Sequence, residues 1–283
     1  MTILSRARAG RSKSGQFDVR DHIDGAAAFY GATANIIMQL SLPPVGYGVA
    51  ESTVHTGSIT RHPVKRTRTT LTYLSVALLG TDADRAAYRA AINSAHRHVH
   101  STAASPVRYN AFDKNLQLWV AACLYWGSND VLTRLYGPLD EAVADEFYDY
   151  AHHLGTTLQV PRDMWPADRA AFADYWSTHL PRTTVDPTIK AYFDGLLDLT
   201  MLPTPLRLLF APFHRWFTTG LLPPHLRDQL DLTWTPADER RLTRLLHTTG
   251  RLYAHLPHPL RNFPFNATLA DMRRRNRQGK PLI

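Results

Sequence analysis

Residues 112–136 read FDKNLQLWVAACLYWGSNDVLTRLY, and this stretch is the strongest indication of the fold class. After Lys114 the only charged residues are Asp130 and Arg134, and the apolar run is far longer than an ordinary strand. The stretch therefore predicts a long apolar helix. We expect a break near Gly127, and Gly137-Pro138 separates this helix from the next.

The rest of the chain shows helical patterns on both sides of this stretch. Strict alternation of apolar and polar residues is confined to short, scattered runs, so no sheet of any size is expected. Proline marks the helix boundaries instead of building a linker. After the first helix, Leu42-Pro43-Pro44 acts as a stop and 45–65 as a connection. The prediction is an all-α protein, a single compact multi-helix domain, with further helices at 25–41, 66–79, from Thr81, 139–154, 167–180, 187–200, 204–218 and 236–256.

The chain of 283 residues carries a net charge of +8, part of which lies in its ends. Residues 1–20 and 267–283 are basic with little apolar periodicity, and both are interpreted as flexible tails flanking a helical domain over 21–266. A basic tail can contact nucleic acid or an anionic membrane, but a solvated terminus is the favoured interpretation. Because no nucleic-acid-binding motif accompanies either tail, we predict no nucleic-acid partner.

Cys123 is the only cysteine, which excludes a disulfide within the chain and any cysteine-based zinc or iron–sulfur site. The N-terminal residues lack the apolar run of a secretory signal, and no stretch is long and apolar enough to cross a membrane. These features favour a cytoplasmic protein without a transmembrane segment.

One of the 14 histidines is predicted to face inward from a helix. In the helix that Thr81 opens as N-cap, apolar residues recur at Tyr88, Ile92, Ala95 and Val99, which defines one buried face. At about 100° per residue, His96 falls inside that arc, His98 faces solvent and His100 lies at the edge.

An inward histidine has three interpretations. It can be a core histidine bonded to a carbonyl group. It can be the axial ligand of a haem iron, which requires a neutral imidazole in an apolar slot. It can also form a non-haem metal site in which His96 and His100 ligate from i and i+4, with a further ligand from elsewhere.

Several motifs then occur in a recognisable order. The chain carries Gly48-Val49-Ala50-Glu51, Pro63-x-x-Arg66-x-x-x-Thr70, His96-x-x-Val99, Tyr109-x-Ala111-x-Asp113, Trp119-Val120, Tyr136-Gly137-Pro138-Leu139, Trp234-Thr235-Pro236 and Leu256-Pro257. Together they resemble the catalytic domain shared by latex clearing protein (rubber oxygenase) and the mycophenolic-acid-pathway oxygenase MpaB, over about residues 25–264.

This resemblance implies an all-helical fold with a haem b pocket between helices. It implies that His96 is the proximal iron ligand and that Arg66 and Thr70 lie near the distal side or the propionates, where an arginine pairs with a carboxylate. Glu51 falls near the carboxylate suited to abstracting an allylic proton. Two departures stand out, since Thr69 replaces the lysine of rubber oxygenases and Ala121 a histidine common in the family.

The resemblance implies a haem-b-dependent oxygenase that acts with O₂ on an apolar substrate, by oxidation or oxidative cleavage of an isoprenoid or another secondary metabolite. Rubber is not expected as the substrate because no export signal is visible. A haem carrier or sensor without turnover and the non-haem metalloenzyme remain alternatives, and we expect a monomer or homodimer. Aromatic residues that can line a pocket or form plain core are Tyr30, Tyr73, Trp119, Tyr125 and Trp126.

Overall fold

The computed structural model describes residues 17–52, 59 and 61–283. Within these residues all regular structure is helical, apart from an isolated bridge between His100 and Asn110, so the all-α prediction is confirmed. The helices are α1 Gly25–Leu40, α2 Pro43–Ala50, α3 Pro63–Leu79, α4 Asp82–His96, α5 Lys114–Tyr136, α6 Glu141–Tyr150, α7 His153–Thr156, α8 Arg169–His179, α9 Pro187–Leu197, α10 Thr204–Leu221, α11 Pro224–Gln229, α12 Pro236–Ala254, α13 His258–Arg261 and α14 Phe265–Arg277. Short 3₁₀ turns occur at Val19–Asp21, Arg162–Met164 and Leu180–Arg182.

Helix α5 runs through the centre of the fold, with α1, α10 and α12 packed against it. The Asp113 carboxylate accepts hydrogen bonds from the backbone N–H groups of Asn115 and Leu116 and so caps the first turn. The helix ends at Gly137, whose φ of +87° suits glycine. Because much of α5 is buried, its apolar composition follows from its central position.

Gly127 does not break α5, contrary to expectation, and the helix is continuous from Lys114 to Tyr136. A Cβ atom on Gly127 would lie 2.3 Å from Nδ2 of Asn35 and 3.1 Å from Cε of Met38, both on α1. The glycine therefore permits a close approach of α1 and α5. Asn35 uses the same amide to donate a 2.9 Å hydrogen bond to the Cys123 carbonyl on α5.

Helix α2 replaces part of the connection expected over 45–65. Pro43 and Pro44 end the first helix, as predicted, but they also occupy the first two positions of α2. The missing N–H of proline costs nothing there, because the first N–H groups of a helix have no intrahelical partner. This additional helix brings Gly48 and Val49 to the site described below.

Helix α4 begins as predicted and ends earlier than predicted. Thr81 and Asp84 form a capping box, in which the Thr81 hydroxyl accepts from the Asp84 N–H and the Asp84 carboxylate accepts from the Thr81 N–H. The last helical residue is His96, so Val99 lies beyond the helix. The helical spacing used to assign the inward face therefore holds as far as Ala95 but does not extend to Val99.

The C-terminal residues form a packed helix where a flexible basic tail over 267–283 was expected. Helix α14 lies along α3, and its Leu269 and Met272 are buried in a small cluster with Val76 and Tyr88. Because arginines lie beside these apolar residues in the sequence, the apolar stripe is hard to recognise from the sequence alone.

The N-terminal tail was predicted over residues 1–20. Residues 1–16 lie outside the described part of the chain, and Val19 is buried in the core. Over the described residues, no helix combines the length and apolarity needed to cross a membrane.

Candidate functional site

A cavity of about 260 Å³ lies between the C-terminal end of α1, α2, α3, α4 and the N-terminal half of α5. Most of its lining is apolar, and among the described residues that form the wall there is no aspartate or glutamate. Its size is close to the lower end of the ~300–1,000 Å³ typical of small-molecule sites. The polar and aromatic groups of the wall are Gln39, Arg66, Thr69, Thr70, Tyr73, Tyr88, His96, Tyr109, Asn110 and Gln117.

His96 lines this cavity from the last turn of α4, with Ile92 one turn before it. Nδ1 of the ring is buried and has no hydrogen-bond partner in the part of the chain that the structure describes. The Nε2 atom of the ring likewise has no hydrogen bond to a described residue. Phe112 packs edge-on against the imidazole, with ring centroids 6.2 Å apart. A core histidine would be expected to bond a carbonyl, since an unpaired buried polar group costs about 1–3 kcal/mol.

The environment keeps the imidazole neutral. Burial lowers the pKa of His96 to about 4, and the positive charge of Arg66 acts in the same direction. At neutral pH the ring therefore carries one N–H group and one lone pair. A neutral imidazole with an unused lone pair in an apolar cavity is the form of histidine that ligates a metal.

Arg66 enters the same cavity from α3. Its side chain forms no hydrogen bond or ion pair with any described residue. Desolvation lowers the pKa of Arg66, while the nearby phenols of Tyr192 and Tyr88 oppose that shift. Because a guanidinium stays charged in proteins, the cavity wall presents a cation that has no counter-ion among the described residues. Such a group is suited to a carboxylate or phosphate on a bound molecule.

Thr70 and Thr69 line the cavity beside Arg66. The Thr69 hydroxyl donates a 2.9 Å hydrogen bond back to the Lys65 carbonyl of its own helix, so it is already paired. The structure thus brings three of the four predicted site residues, His96, Arg66 and Thr70, to one cavity, from sequence positions up to 30 residues apart.

Glu51 is exposed at the C-terminal end of α2 and is not part of the cavity wall. Its Oε2 atom accepts hydrogen bonds from the Tyr109 hydroxyl at 2.7 Å and from the Ser105 hydroxyl at 2.6 Å. Tyr109 does line the cavity. Desolvation and the hydrogen bond to Glu51 both raise the pKa of Tyr109, so the phenol keeps its proton at neutral pH. Among the described residues, Tyr109 is the one that connects Glu51 to the cavity wall.

The remaining histidines of the HRHVH run lie outside the cavity. His98 and His100 are exposed, and His100 lies after the helix, in an isolated backbone bridge with Asn110. Because the helix ends at His96, His96 and His100 do not share a helix face, as a common metal site from i and i+4 would require. Within the described ranges, no three His, Cys, Asp or Glu side chains cluster in a way that could hold a metal ion.

Sequence patterns did not identify several residues of the wall. Tyr109 and Gln117 come from a loop and the start of α5, and only tertiary packing brings them to His96. Of the aromatic residues considered as pocket or core, Tyr73 belongs to the wall. The other four lie elsewhere, with Trp126 stacked on Trp176 and Tyr30 against Phe217. Aromatic residues at helical spacing look alike in sequence whether they line a cavity or fill a core.

Comparison with known proteins places this chain in a family. Residues 19–251 match the model of the catalytic domain described as "ER-bound oxygenase mpaB/B'/Rubber oxygenase". Because this match covers most of the chain, the protein belongs to that oxygenase family, and the resemblance inferred from the motifs is confirmed.

Two curated mycobacterial proteins are close relatives. One is from Mycobacterium bovis and the other from Mycobacterium tuberculosis, and both are named only as uncharacterized proteins. Each is 48% identical to this chain over 250 residues, which covers 88% of this chain and 98% of the relative. No solved structure matches the chain.

Proposed function

We propose that this protein is a haem-b-dependent oxygenase that acts with O₂ on an apolar substrate, and that His96 would hold the haem iron. Membership of the family supports oxygenase chemistry in general. The haem dependence and the substrate class are the proposal. The observation that carries it is the half-buried, neutral imidazole of His96 in the wall of an apolar cavity, where its buried Nδ1 atom has no hydrogen-bond partner among the described residues.

The residues of the cavity are of the types that haem b requires. His96 offers a ligand nitrogen, the aliphatic side chains offer walls for the porphyrin faces, and Arg66 offers a cation for a propionate. When bound, haem would supply the activation of O₂. The role of the protein is then to hold, orient and keep dry the groups that react.

Arg66 and Thr70 are proposed as cofactor-binding residues on the face of α3 that lines the cavity. The Arg66 side chain is exposed and lines the cavity without a partner among the described residues, so its guanidinium could pair with a carboxylate that enters beside it. Thr69, in place of the rubber oxygenase lysine, leaves a short side chain at that part of the wall. The short side chain would leave room in the cavity beside bound haem for a small apolar substrate, such as an isoprenoid or another secondary metabolite.

For Glu51 we propose a proton-handling role that operates through Tyr109. The phenol holds its proton at the cavity wall, and the exposed carboxylate behind it accepts the hydrogen bond. A proton taken up or released at the substrate would pass between the Tyr109 hydroxyl and the Glu51 carboxylate, which is in contact with water. Glu51 does not have to touch the substrate in this scheme.

Oxygen uptake by the haem-reconstituted protein with a panel of isoprenoids tests the catalytic part. We expect uptake above background with at least one substrate and a clear loss in Tyr109→Phe and Glu51→Gln. A matched control is Tyr150→Phe, which removes a hydroxyl bonded to the Leu78 carbonyl away from the cavity wall. Haem binding without uptake for any substrate would favour a carrier or sensor instead.

A further inference from the structure

An exposed apolar surface lies away from the cavity, on α10 and the start of α1. It consists of Phe29 on α1 and Leu206, Leu208, Leu209, Phe210 and Phe213 on α10. Leu209 is 69% exposed and Phe213 is 54% exposed, so these side chains face solvent and are not partly covered residues at the edge of the core. Exposed apolar groups in this number on one element mark an interaction surface.

Four of these side chains form a stripe on α10, whereas Leu208 lies on another side of the helix. At about 100° per residue, Leu206, Leu209, Phe210 and Phe213 fall within about 100° of arc on α10. A series of ring contacts then leads to Phe29, from Phe213 to Phe217 at 5.7 Å, from Phe217 to Tyr30 at 5.1 Å and from Tyr30 to Phe29 at 5.9 Å.

The second half of α10 holds this stripe rigidly. Phe217 and Leu221 are buried, and Arg215 pairs with Asp194 at 2.9 Å and with Asp198 at 2.8 Å. His214 lies 3.0 Å from the Thr33 hydroxyl on α1. The helix is therefore fixed to the body at one end and presents its apolar first half to the outside.

The charges favour a lipid surface over a second copy of the chain. Helix α1 has no charged residue, and α10 has no acidic residue and carries Arg207 beside the stripe. The chain as a whole carries a net charge of +8, so two copies repel each other, whereas an anionic bilayer attracts the chain. Leucine and phenylalanine on one face of a helix, with arginine at its edge, are typical of helices that lie in the membrane interface.

We infer that the stripe formed by Phe29 and the first half of α10 docks this protein on the surface of a membrane that contains anionic lipid. The docking is peripheral, with the apolar side chains in the interface and the helix parallel to the membrane plane. None of the stripe residues lines the cavity, so this inference does not depend on the haem proposal.

Vesicle sedimentation with the full chain tests the inference. We expect binding to vesicles of phosphatidylcholine with phosphatidylglycerol, weaker binding to phosphatidylcholine alone, and a loss of at least about tenfold in the variant Leu209→Ser, Phe210→Ser and Phe213→Ser. Val64→Ser is the matched control, because Val64 is an 83% exposed apolar residue on α3, and it should bind as the unmodified chain does. Circular dichroism confirms that each variant folds.

A fluorescent label gives a second readout that does not require a damaging substitution. Cys123 is buried and burial raises the pKa of its thiol, so a dye attached to Leu209→Cys reports that position alone. Its emission should shift to the blue when anionic vesicles are added, while a dye at Val64→Cys should not respond. Absence of binding, equal binding by the triple variant, or a dimer that the triple variant converts to a monomer without changing sedimentation would overturn the inference.

Discussion

Arg66 on α3 and His96 at the end of α4 line one cavity, and the charge of the arginine contributes to the low pKa of the histidine. The imidazole and the guanidinium, which usually form hydrogen bonds or ion pairs, thus face the same apolar cavity without such a partner among the described residues. This relationship is what separates His96 from a core histidine, and it is the basis of the proposed haem site.

The first prediction concerns the titration of His96 in the haem-free protein. Its pKa of about 4 lies below the ordinary value of 6.5, so the unfolded chain binds this proton more readily than the folded chain. The folded state should therefore lose up to about 3 kcal/mol through this group as the pH falls from about 6.5 to 4. His96→Gln should flatten the fall in the free energy of unfolding over this window, measured by denaturant titration at several pH values.

The control for this titration is His100→Gln, which changes an exposed histidine outside the cavity. If both substitutions reduce the pH dependence of the free energy of unfolding equally, the environment of His96 does not lower its pKa as described. An NMR titration of the two imidazoles gives the same comparison directly, and Arg66→Met should raise the pKa of His96.

A second prediction uses two glycines that face different surroundings. Gly127→Ala should destabilise the protein by about 1–3 kcal/mol, since the new Cβ collides with Asn35 and displaces its hydrogen bond to the Cys123 carbonyl. Gly31→Ala on α1 should stabilise it by about 0.5–1 kcal/mol, because the nearest atom, on Val131, lies at an ordinary 3.5 Å. Thermal or denaturant unfolding measures both. Equal stabilisation by the two substitutions would contradict the close packing of α1 on α5.

The buried pair of Asp24 and Arg261 gives a third prediction. Both side chains are buried, with Nε of Arg261 3.7 Å from Oδ2 of Asp24, and the Tyr136 hydroxyl donates to the same carboxylate. Desolvation raises the pKa of Asp24, against which the hydrogen bonds and Arg261 act. Arg261→Met leaves that carboxylate without its cation and should cost about 3–5 kcal/mol at neutral pH.

Lower pH should partly restore the Arg261→Met variant, because protonation removes the buried charge. Arg251→Met, an exposed arginine on α12, is the matched control and should stay within about 0.5 kcal/mol of the unmodified protein. A cost for Arg261→Met that does not change with pH would show that lost packing, not charge, is responsible.

A fourth prediction tests whether α14 belongs to the folded domain. Met272→Ala should destabilise the chain by about 2–5 kcal/mol, since Met272 is 1% exposed in the cluster with Val76, Tyr88 and Leu269. Ala270→Ser, on the exposed side of the same helix, should have little effect. If the backbone amides of α14 exchange hydrogen as fast as those of a flexible tail, the packing of α14 on the domain is contradicted.

The sequence was most informative where one local rule determines the structure. Thr81 and Asp84 specify the start of α4, and periodicity alone places His96 on the inward side of that helix. It was misleading where one residue type has two uses. Pro43 and Pro44 end one helix and begin another, and Gly127 permits close packing in the middle of a helix that glycine otherwise weakens.

The composition of the cavity could not be read from local patterns. Gln39, Arg66, His96, Tyr109 and Gln117 come from different elements, and only tertiary packing brings them together. Ordered family motifs anticipated Arg66, Thr70 and His96, but the link from Glu51 through Tyr109 required coordinates. The packed C-terminal helix was missed because its arginines outnumber its buried apolar residues.

The absorption spectrum of the purified protein after reconstitution with haem tests the central claim most directly. The unmodified chain and His100→Ala should both show the Soret band of ligated haem, while His96→Ala should lose it at the same protein concentration. A Soret band that survives unchanged in His96→Ala, or none in the unmodified chain, would contradict His96 as the haem ligand.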